Sequence, residues 1–432
     1  MQYQSTRDSR IRVSASEAIV RGLAPQSGLF VPEAFPQADL AAWKNLSYPE
    51  LAQRVLAGYL TDYQEQFLEQ ATTSTYGDAF GGKAGYTRKV HDGVYALELW
   101  HGPTCAFKDY ALQLMPKLLV EAKHNLGRTE KTRILVATSG DTGKAALAGY
   151  AGLDGIEISV FYPDAGTSEI QRLQMVTQTG ENVRVYAVEG NFDDAQTGVK
   201  RVFADASVAD ALERPDIRLT SANSINWGRL APQIVYYFYA YFRLVEQGAV
   251  AWGHPVDFCV PTGNFGDILA GYYAKRMGLP VGKLVCASNK NNVLTDFLRT
   301  GTYDARRTFY KTTSPSMDIL ISSNLERLLY HGSESWEKVA GWMKDLAETG
   351  TYTVDADTLA KIQQNFAAGY ADDMQGAAEI HDRFVQDGYL CDTHTAVAFC
   401  VAENNRSEAA MVVLSTASPF KFPRDVLAAL GE

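Results

Sequence analysis

Hydrophobic and polar residues alternate in two different ways along the chain. Before about residue 72 the spacing predicts mainly helices, for example Tyr48 to Gln66, and a glycine-rich passage from Gly77 to Gly85 then indicates a linker. Further on, short apolar runs typical of buried strands alternate with helical patterns. These runs are Val94 to Trp100, Arg133 to Ala137, Ile156 to Tyr162, Val183 to Val188, Phe258 to Pro261, Lys283 to Ala287 and Met411 to Leu414. The alternation predicts an α/β protein whose parallel sheets are covered by helices.

Three local signals refine this pattern. Ser168 and Gln171 have the spacing of a capping box, which predicts the start of a helix that continues through Thr177. Pro116 lies inside an amphipathic segment from Tyr110 to Asn125, where a kink is expected. The segment 325–384 has a mostly helical pattern, so we expect a helical insertion at about residues 325–390, before the last strand.

Composition and charge narrow the class of protein. The 432 residues are 46% hydrophobic and 21% charged, which is typical of a globular protein. The net charge of -10 disfavours nucleic acid as a partner. No apolar run approaches the ~20 residues that span a bilayer, so we expect no membrane association and a cytoplasmic location. The 5 cysteines and 7 histidines are scattered without ligand spacing, and no metal site is predicted.

A lysine lies where a predicted strand gives way to a predicted helix. It is Lys108, in the sequence HGPTCAFKD of residues 101–109. An amine that is partly removed from water loses its proton more easily and can condense with an aldehyde. Taken alone, Lys108 is more simply interpreted as a surface lysine after a glycine-proline turn. Its importance therefore depends on the other motifs.

Two glycine-containing loops each follow a predicted strand and precede a predicted helix. The first, TSGDTG at residues 138–143, offers backbone amides and hydroxyls to an anion. It differs from a nucleotide-triphosphate loop, because Thr138 replaces the first glycine and Ala145 follows Lys144 where a hydroxyl is needed. The second, PTGNFGD at residues 261–267, lacks dinucleotide-loop spacing but can wrap one phosphate. Either could be a plain connector, but two such loops and a junction lysine together favour a site.

These three motifs together resemble the threonine synthase family of fold type II pyridoxal-phosphate enzymes, which share the architecture of the tryptophan synthase β subunit. The resemblance continues in SANSINWGR (221–229), PSMDILISSNLERLL (315–329), LSTASPFKFP (414–423) and, near the start, YQSTRDS (3–9) and GLAPQSGLFVPE (22–33). It implies a small, mostly helical amino-terminal domain of residues 1–90. A catalytic domain of residues 91–432, with two α/β lobes, would follow.

The resemblance also implies a cofactor, pyridoxal 5'-phosphate, and residues that hold it. Lys108 would be the Schiff-base lysine and would move protons in catalysis. Thr416 would lie beside the ring nitrogen. Asp141 stands where many relatives have an asparagine that donates to the ring oxygen; an ionised aspartate can only accept, so its role stays open. The cofactor phosphate would be held by Gly263, Asn264, Phe265, Gly266 and Asp267.

The remaining matched positions imply a second phosphate site, for the substrate. Arginine suits this task because its guanidinium binds phosphate through two parallel hydrogen bonds. The matched residues are Ser139, Thr142, Asn223, Ser224, Asn226 and Arg229.

The reaction implied by the resemblance converts O-phospho-L-homoserine and water into L-threonine and phosphate, the last step of threonine biosynthesis. Such an enzyme is a carbon–oxygen lyase that acts on phosphates. A phospho-lyase or dehydratase that releases a 2-oxo acid shares the early steps and is the nearest alternative. A catalytically silent, ligand-binding relative is a second. Longer threonine synthases are often monomers, and we expect a monomer here.

Overall fold

The predicted strands pair into two mainly parallel sheets in a computed structural model of the chain, which describes residues 1–164, 167–190, 192–205, 207, 211 and 216–432. The larger sheet has five parallel strands and one antiparallel edge strand. Its spatial order is β14 (Phe366–Tyr370), β11 (Val281–Ser288), β10 (Val256–Pro261), β15 (Ala410–Ser415), β5 (Val94–Glu98) and β4 (Tyr86–His91). The smaller sheet is parallel throughout. Its order is β8 (Val183–Val188), β7 (Ile156–Pro163), β6 (Lys131–Ala137) and β9 (Ile217–Thr220).

Two smaller antiparallel sheets complete the strands of the described residues. The amino-terminal sheet has the order β2 (Asp8–Val13), β1 (Tyr3–Ser5) and β3 (Phe30–Pro32). A two-stranded pair joins β12 (Thr302–Asp304) to β13 (Thr351–Thr353).

The α-helices of the described residues connect these strands and cover both main sheets. In chain order they are α1 (Ala15–Arg21), α2 (Leu40–Trp43), α3 (Tyr48–Tyr59), α4 (Glu65–Tyr76), α5 (Asp109–Leu112), α6 (Met115–Asn125), α7 (Asp141–Tyr150), α8 (Glu169–Val176), α9 (Phe192–Ala204), α10 (Trp227–Leu230), α11 (Ile234–Glu246), α12 (Gly266–Arg276), α13 (Val293–Thr300), α14 (Leu325–Ser333), α15 (Trp336–Thr349), α16 (Ala356–Gln363), α17 (Asp373–Asp387), α18 (Thr393–Glu403) and α19 (Pro423–Ala429). None of them is long and apolar enough to cross a membrane.

All seven strand predictions are confirmed, with bounds that differ by at most two residues. The capping box at Ser168 is also present, with its side chain accepting from the Gln171 amide at 3.1 Å. The kink predicted at Pro116 is absent: α5 ends before this residue, and Pro116 lies in the first turn of α6. Proline suits that turn because the backbone amides there have no acceptor within the helix, so a missing N–H costs nothing. The five cysteines are free.

Other predictions were wrong in detail. The helix predicted for Tyr48 to Gln66 is two helices, α3 and α4. The chain leaves α3 because Asp62 accepts from the Ser16 amide at 2.9 Å and the Tyr63 hydroxyl donates to the Leu118 carbonyl at 2.9 Å. The segment 325–384 is mostly helical, as predicted, but β13 and β14 within it and the amino-terminal sheet were not predicted.

The amino-terminal residues share one core with the rest of the chain. The rings of Tyr3 and Tyr59 lie 5.2 and 5.4 Å from the ring of Trp227, which is fully buried at the start of α10. Aromatic contacts of this kind add to the free energy gained from burying apolar area. The amino-terminal segment thereby supports the segment 221–229, which carries several of the predicted site residues.

Candidate active site

Lys108 lies at the end of the loop that follows β5. The loop is fixed against the segment after β15: the Phe107 amide donates to the Thr416 carbonyl at 2.8 Å, and the Ser418 amide donates to the Cys105 carbonyl at 3.1 Å. The Lys108 side chain is 12% exposed, and Nζ lies 4.3 Å from the centre of the Phe107 ring. Burial lowers the pKa of Lys108 to about 8, because an ammonium loses hydration there. A useful fraction of the amine is therefore neutral near physiological pH, as a nucleophile or base requires.

The first glycine loop is closed by one hydroxyl. Thr138 Oγ1 accepts from the amides of Gly140 and Gly143, each at 2.9 Å, and this turns the chain from β6 into α7. Ser139 and Thr142 line the same cleft as Lys108. The loop therefore presents hydroxyls and the first amides of a helix, a combination that binds anions.

The second glycine loop forms another wall of the cleft, between β10 and α12. A Cβ at Gly263 would lie 2.6 Å from the Ser316 carbonyl oxygen, so only glycine fits there. Phe265 adopts a left-handed conformation with φ of 63° and thereby directs the chain into the helix. The first amides of a helix have no acceptor within it, and here they border the cleft beside Asn264.

Asp267 is buried in the same loop. Its Oδ1 accepts from the hydroxyls of Tyr236 and Tyr237, at 2.5 and 3.1 Å. Its Oδ2 is buried and has no hydrogen-bond partner among the described residues. Burial raises the pKa of Asp267 to about 6, although the two tyrosines oppose the rise. Both protonation states of this carboxyl are therefore accessible near neutral pH.

Arg229 carries a buried positive charge to the cleft. Its side chain is almost fully buried, and Nη1 donates to the Ala222 carbonyl at 2.6 Å. The Nε group is buried without a hydrogen-bond partner among the described residues. Burial lowers the pKa of Arg229 to about 10, so the guanidinium stays charged at neutral pH. An unpaired buried donor is costly, and a bound anion would satisfy it.

Asn226 is the one predicted site residue that does not line the cleft. It is fully buried, and its Oδ1 accepts from the Gly228 amide at 2.9 Å, which caps α10. Its Nδ2 donates to the Ile19 carbonyl at 2.9 Å. These contacts tie the segment 221–229 to α1. Asn223, by contrast, reaches the cleft and donates to the Ala137 carbonyl at 3.1 Å.

The other predicted residues meet around one cleft, although they come from distant parts of the chain. They are Lys108, Ser139, Asp141, Thr142, Asn223, Ser224, Arg229, Gly263, Asn264, Phe265, Gly266, Asp267 and Thr416.

Sequence reasoning missed His394, which also lines the cleft. Its Nδ1 lies 2.7 Å from Asp392 Oδ2, and its Nε2 accepts from the Ser316 amide at 3.1 Å. Because both ring nitrogens are engaged, His394 orients the loop 315–319 and does not serve as a free base. The sequence shows only a single histidine near the start of a helix, and nothing in it indicates the contact with Ser316. Lys421, also missed, forms an ion pair with Asp141 at 2.8 Å. The apolar residues around it in SPFKFP are the sequence signal that could have indicated its burial.

The donor set of the cleft fits pyridoxal phosphate. A buried amine of lowered pKa can bond the aldehyde, and the first amides of α12, which have no acceptor within the helix, can bind a phosphate. Thr416 places a hydroxyl in the same cleft, only 5% exposed. No group of three or more metal-ligating side chains was found in the described part of the chain.

Comparison with known proteins places this site in a class. Residues 84–416 match the family model described as pyridoxal-phosphate dependent enzyme, and residues 2–76 match threonine synthase N terminus. A threonine synthase of Pseudomonas aeruginosa is 40% identical, over 99% of this chain and 90% of that protein. The crystal structure of PLP-bound threonine synthase from Brucella melitensis superimposes with a TM-score of 0.92 and 40% identity, covering 100% of this chain and 92% of that one.

The chain is thus a pyridoxal-phosphate dependent enzyme of fold type II, and its cofactor is pyridoxal 5'-phosphate. It belongs to the threonine synthase family. Human threonine synthase-like 1 is also 41% identical over 98% of this chain. The chain spans only 59% of the length of that relative.

Proposed function

We propose that the chain converts O-phospho-L-homoserine and water into L-threonine and phosphate. The observation that carries the proposal is the buried guanidinium of Arg229, whose Nε is unpaired among the described residues, in the same cleft as Lys108. It belongs to a different element from the glycine loop at 263–267. The cleft therefore offers two separate places for phosphate, one for the cofactor and one for a phosphorylated substrate.

Three parts of the chain would hold the cofactor. Lys108 would bond its aldehyde carbon, the amides from Gly263 to Asp267 would bind its phosphate, and the Thr416 hydroxyl would bond its ring nitrogen. When bound, the cofactor supplies an electron sink that stabilises negative charge at the substrate α-carbon. A neutral hydroxyl does not force protonation of the ring nitrogen as a carboxylate would, so proton transfer by the chain's own groups becomes more important.

Lys108 is the base that the cleft offers to the α-carbon. Because the pKa of Lys108 is about 8, part of the amine is neutral near physiological pH and can accept a proton. Once it has taken the proton, its ammonium can return one to another carbon of the same substrate. The protons that leave Cα and Cβ and the one that arrives at Cγ thereby stay within reach of one group.

Arg229 would bind the substrate phosphate, with hydroxyls and amides from Ser139, Thr142, Asn223 and Ser224 around it. The phosphate is both the feature recognised and the leaving group. When the bond between Cγ and oxygen breaks, the guanidinium stabilises the negative charge that the phosphate takes with it. The oxygen of water then adds to Cβ, and the proton that the water loses balances the one that the released phosphate takes up. Cα regains a proton from Lys108, and Cγ ends as the methyl group of threonine.

Product analysis tests this function. Purified, cofactor-loaded protein is incubated with O-phospho-L-homoserine, and phosphate, threonine and 2-oxobutyrate are measured together. Equal amounts of phosphate and threonine are expected. Phosphate accompanied by 2-oxobutyrate would identify a phospho-lyase instead. If cofactor-loaded protein forms neither threonine nor 2-oxobutyrate, the chain would be a catalytically silent, ligand-binding relative.

Other properties stay predictions. We expect residues 1–90 and 91–432 to behave as an amino-terminal and a catalytic domain, with an insertion at about residues 325–390. We also expect a monomer in the cytoplasm.

A further inference from the structure

A second lysine is buried beside Lys108. The side chain of Lys421 is 2% exposed, and its Nζ donates to Asp141 Oδ1 at 2.8 Å and to the Thr104 carbonyl at 2.9 Å. A lysine is rarely buried to this extent unless it is paired. The pair joins the start of α7, next to the smaller sheet, to the segment that follows β15 of the larger sheet.

The position of Lys421 is coupled to that of Lys108. The two lysines lie on segments that hydrogen-bond to each other through Phe107 and Thr416, and Ala106 and Ala417 form a bridge between them. The Thr104 carbonyl that accepts from Lys421 is also fixed, because the Thr104 amide and hydroxyl donate to Asp109 at 2.8 and 2.7 Å. The ammonium of Lys421 is thus held at a defined place relative to the Lys108 amine.

The two oxygens of Asp141 have different tasks. Oδ1 accepts from Lys421 and from Gln171 Nε2, the latter at 2.9 Å, whereas Oδ2 lies 4.0 Å from Lys108 Nζ. Gly140 makes room for the Gln171 contact: its φ is 139°, and a Cβ there would lie 2.5 Å from Gln171 Cδ. The carboxylate is therefore turned so that one oxygen faces each lysine.

The charges around Lys108 compete. Asp141 and Asp267 favour its protonated form, while Arg229 and Lys421 disfavour it, as burial does. For Asp141, burial alone would raise the pKa, but the charges of Lys421 and Lys108 and the contacts at Oδ1 outweigh it and hold the pKa well below its usual range. Asp141 is therefore charged near neutral pH, and without Lys421 the cation left beside it is Lys108.

We propose that Lys421 is a positioning residue for the reaction: its fixed ammonium takes the charge of Asp141, so that the Lys108 amine does not become the counter-ion of that carboxylate. Lys108 then keeps its freedom to bond the cofactor and to move protons. The carboxylate and Lys421 act toward Lys108 as one nearly neutral unit. This inference rests on the family's cofactor, and only its consequence for catalysis rests on the proposed function.

The test is a pH titration of the visible absorption band of the bound cofactor, which responds to protonation at Lys108 Nζ. In K421M, the unopposed Asp141 should raise the midpoint by about one pH unit or more. The midpoint should fall in D141N. K421R keeps the charge and should stay close to the wild-type midpoint. K344M serves as the control, because Lys344 is 70% exposed and lies 3.9 Å from Glu348 on the surface of α15.

The result that would overturn the proposal is a K421M midpoint equal to that of K344M while the band is intact. If K421M fails to fold with an unpaired buried carboxylate, K421Q, which keeps a donor for Asp141 without the charge, is titrated in its place. Its midpoint should also rise above that of wild type, and a K421Q midpoint equal to that of K344M would again contradict the proposal. Because the band requires bound cofactor and not turnover, the result does not depend on whether threonine is formed.

Discussion

Arg327 Nε donates to the Phe30 carbonyl oxygen at 2.9 Å, and so joins α14 to the amino-terminal sheet. The same fully buried guanidinium donates to the Ile225 carbonyl at 2.6 Å and to the side-chain oxygen of Asn324. Asn324 donates in turn to the Ser224 carbonyl at 3.1 Å. One buried cation thereby fixes the segment that presents Arg229 to the cleft.

Replacing Arg327 should therefore damage both stability and substrate binding. In R327M three acceptors, two of them buried, lose their donor, which should cost about 3 kcal/mol in the free energy of unfolding. The KM for O-phospho-L-homoserine should rise, because the segment 221–229 loses an anchor. Urea unfolding and steady-state kinetics measure the two effects.

The control for this variant is R306M. Arg306 is 60% exposed and binds Asp304 on the surface, so its loss should change the free energy of unfolding by less than about 1 kcal/mol. Equal stability of R327M and R306M would show that the Arg327 contacts do not support the fold.

The strands and loops that build the cleft were predictable because their signals are local. An apolar run followed by glycines and a hydroxyl, as in β6 and TSGDTG, specifies a strand, a turn and a helix start within a few neighbouring residues. The short strands were not predictable. β1 and β2 carry many polar residues, and the small residues of β14 (FAAGY) suit a helix as well as a strand.

The partners of the buried charges were not predictable either. Lys421 and Asp141 meet only because the segment after β15 pairs with the loop after β5, which depends on the strand order of the sheet. Arg327 finds Phe30 through the docking of the amino-terminal sheet. Asn226 shows the converse: the motif suggested a ligand contact, but its side chain caps α10.

Arg229 should discriminate phosphorylated substrates from others. In R229M the guanidinium that would pair with the substrate phosphate is lost, and kcat/KM for O-phospho-L-homoserine should fall by about a hundredfold or more. R229K keeps the positive charge but lacks the planar guanidinium, so its kcat/KM should lie between those of wild type and R229M. The absorption band of the cofactor should persist in both variants, since its phosphate is held by the loop at 263–267. Loss of the band would mean that Arg229 supports the cofactor instead.

Lys108 should be required both for the absorption band and for turnover. In K108A the amine that bonds the cofactor is missing, so the band of the protein-bound form should vanish. The rate should fall by at least the 10²–10⁴-fold that a positioned base commonly supplies. K344M is the matched control and should retain both the band and the rate. A K108A protein with an unchanged band would assign the cofactor to another amine.

Asp267 should make stability depend on pH in a defined direction. Its folded pKa of about 6 lies above the ordinary 3.8, so its favourable contribution is complete below about pH 4 and is lost as pH rises through about 6. D267N removes the buried charge but keeps an oxygen for the hydroxyls of Tyr236 and Tyr237. Its stability relative to wild type should therefore improve between pH 5 and pH 8, by about 1 kcal/mol. Urea unfolding of the cofactor-loaded proteins at both pH values measures this difference. D345N, which changes an exposed carboxylate on α15, should show no such trend, and a pH-independent effect of D267N would mean that Asp267 does not titrate in this range.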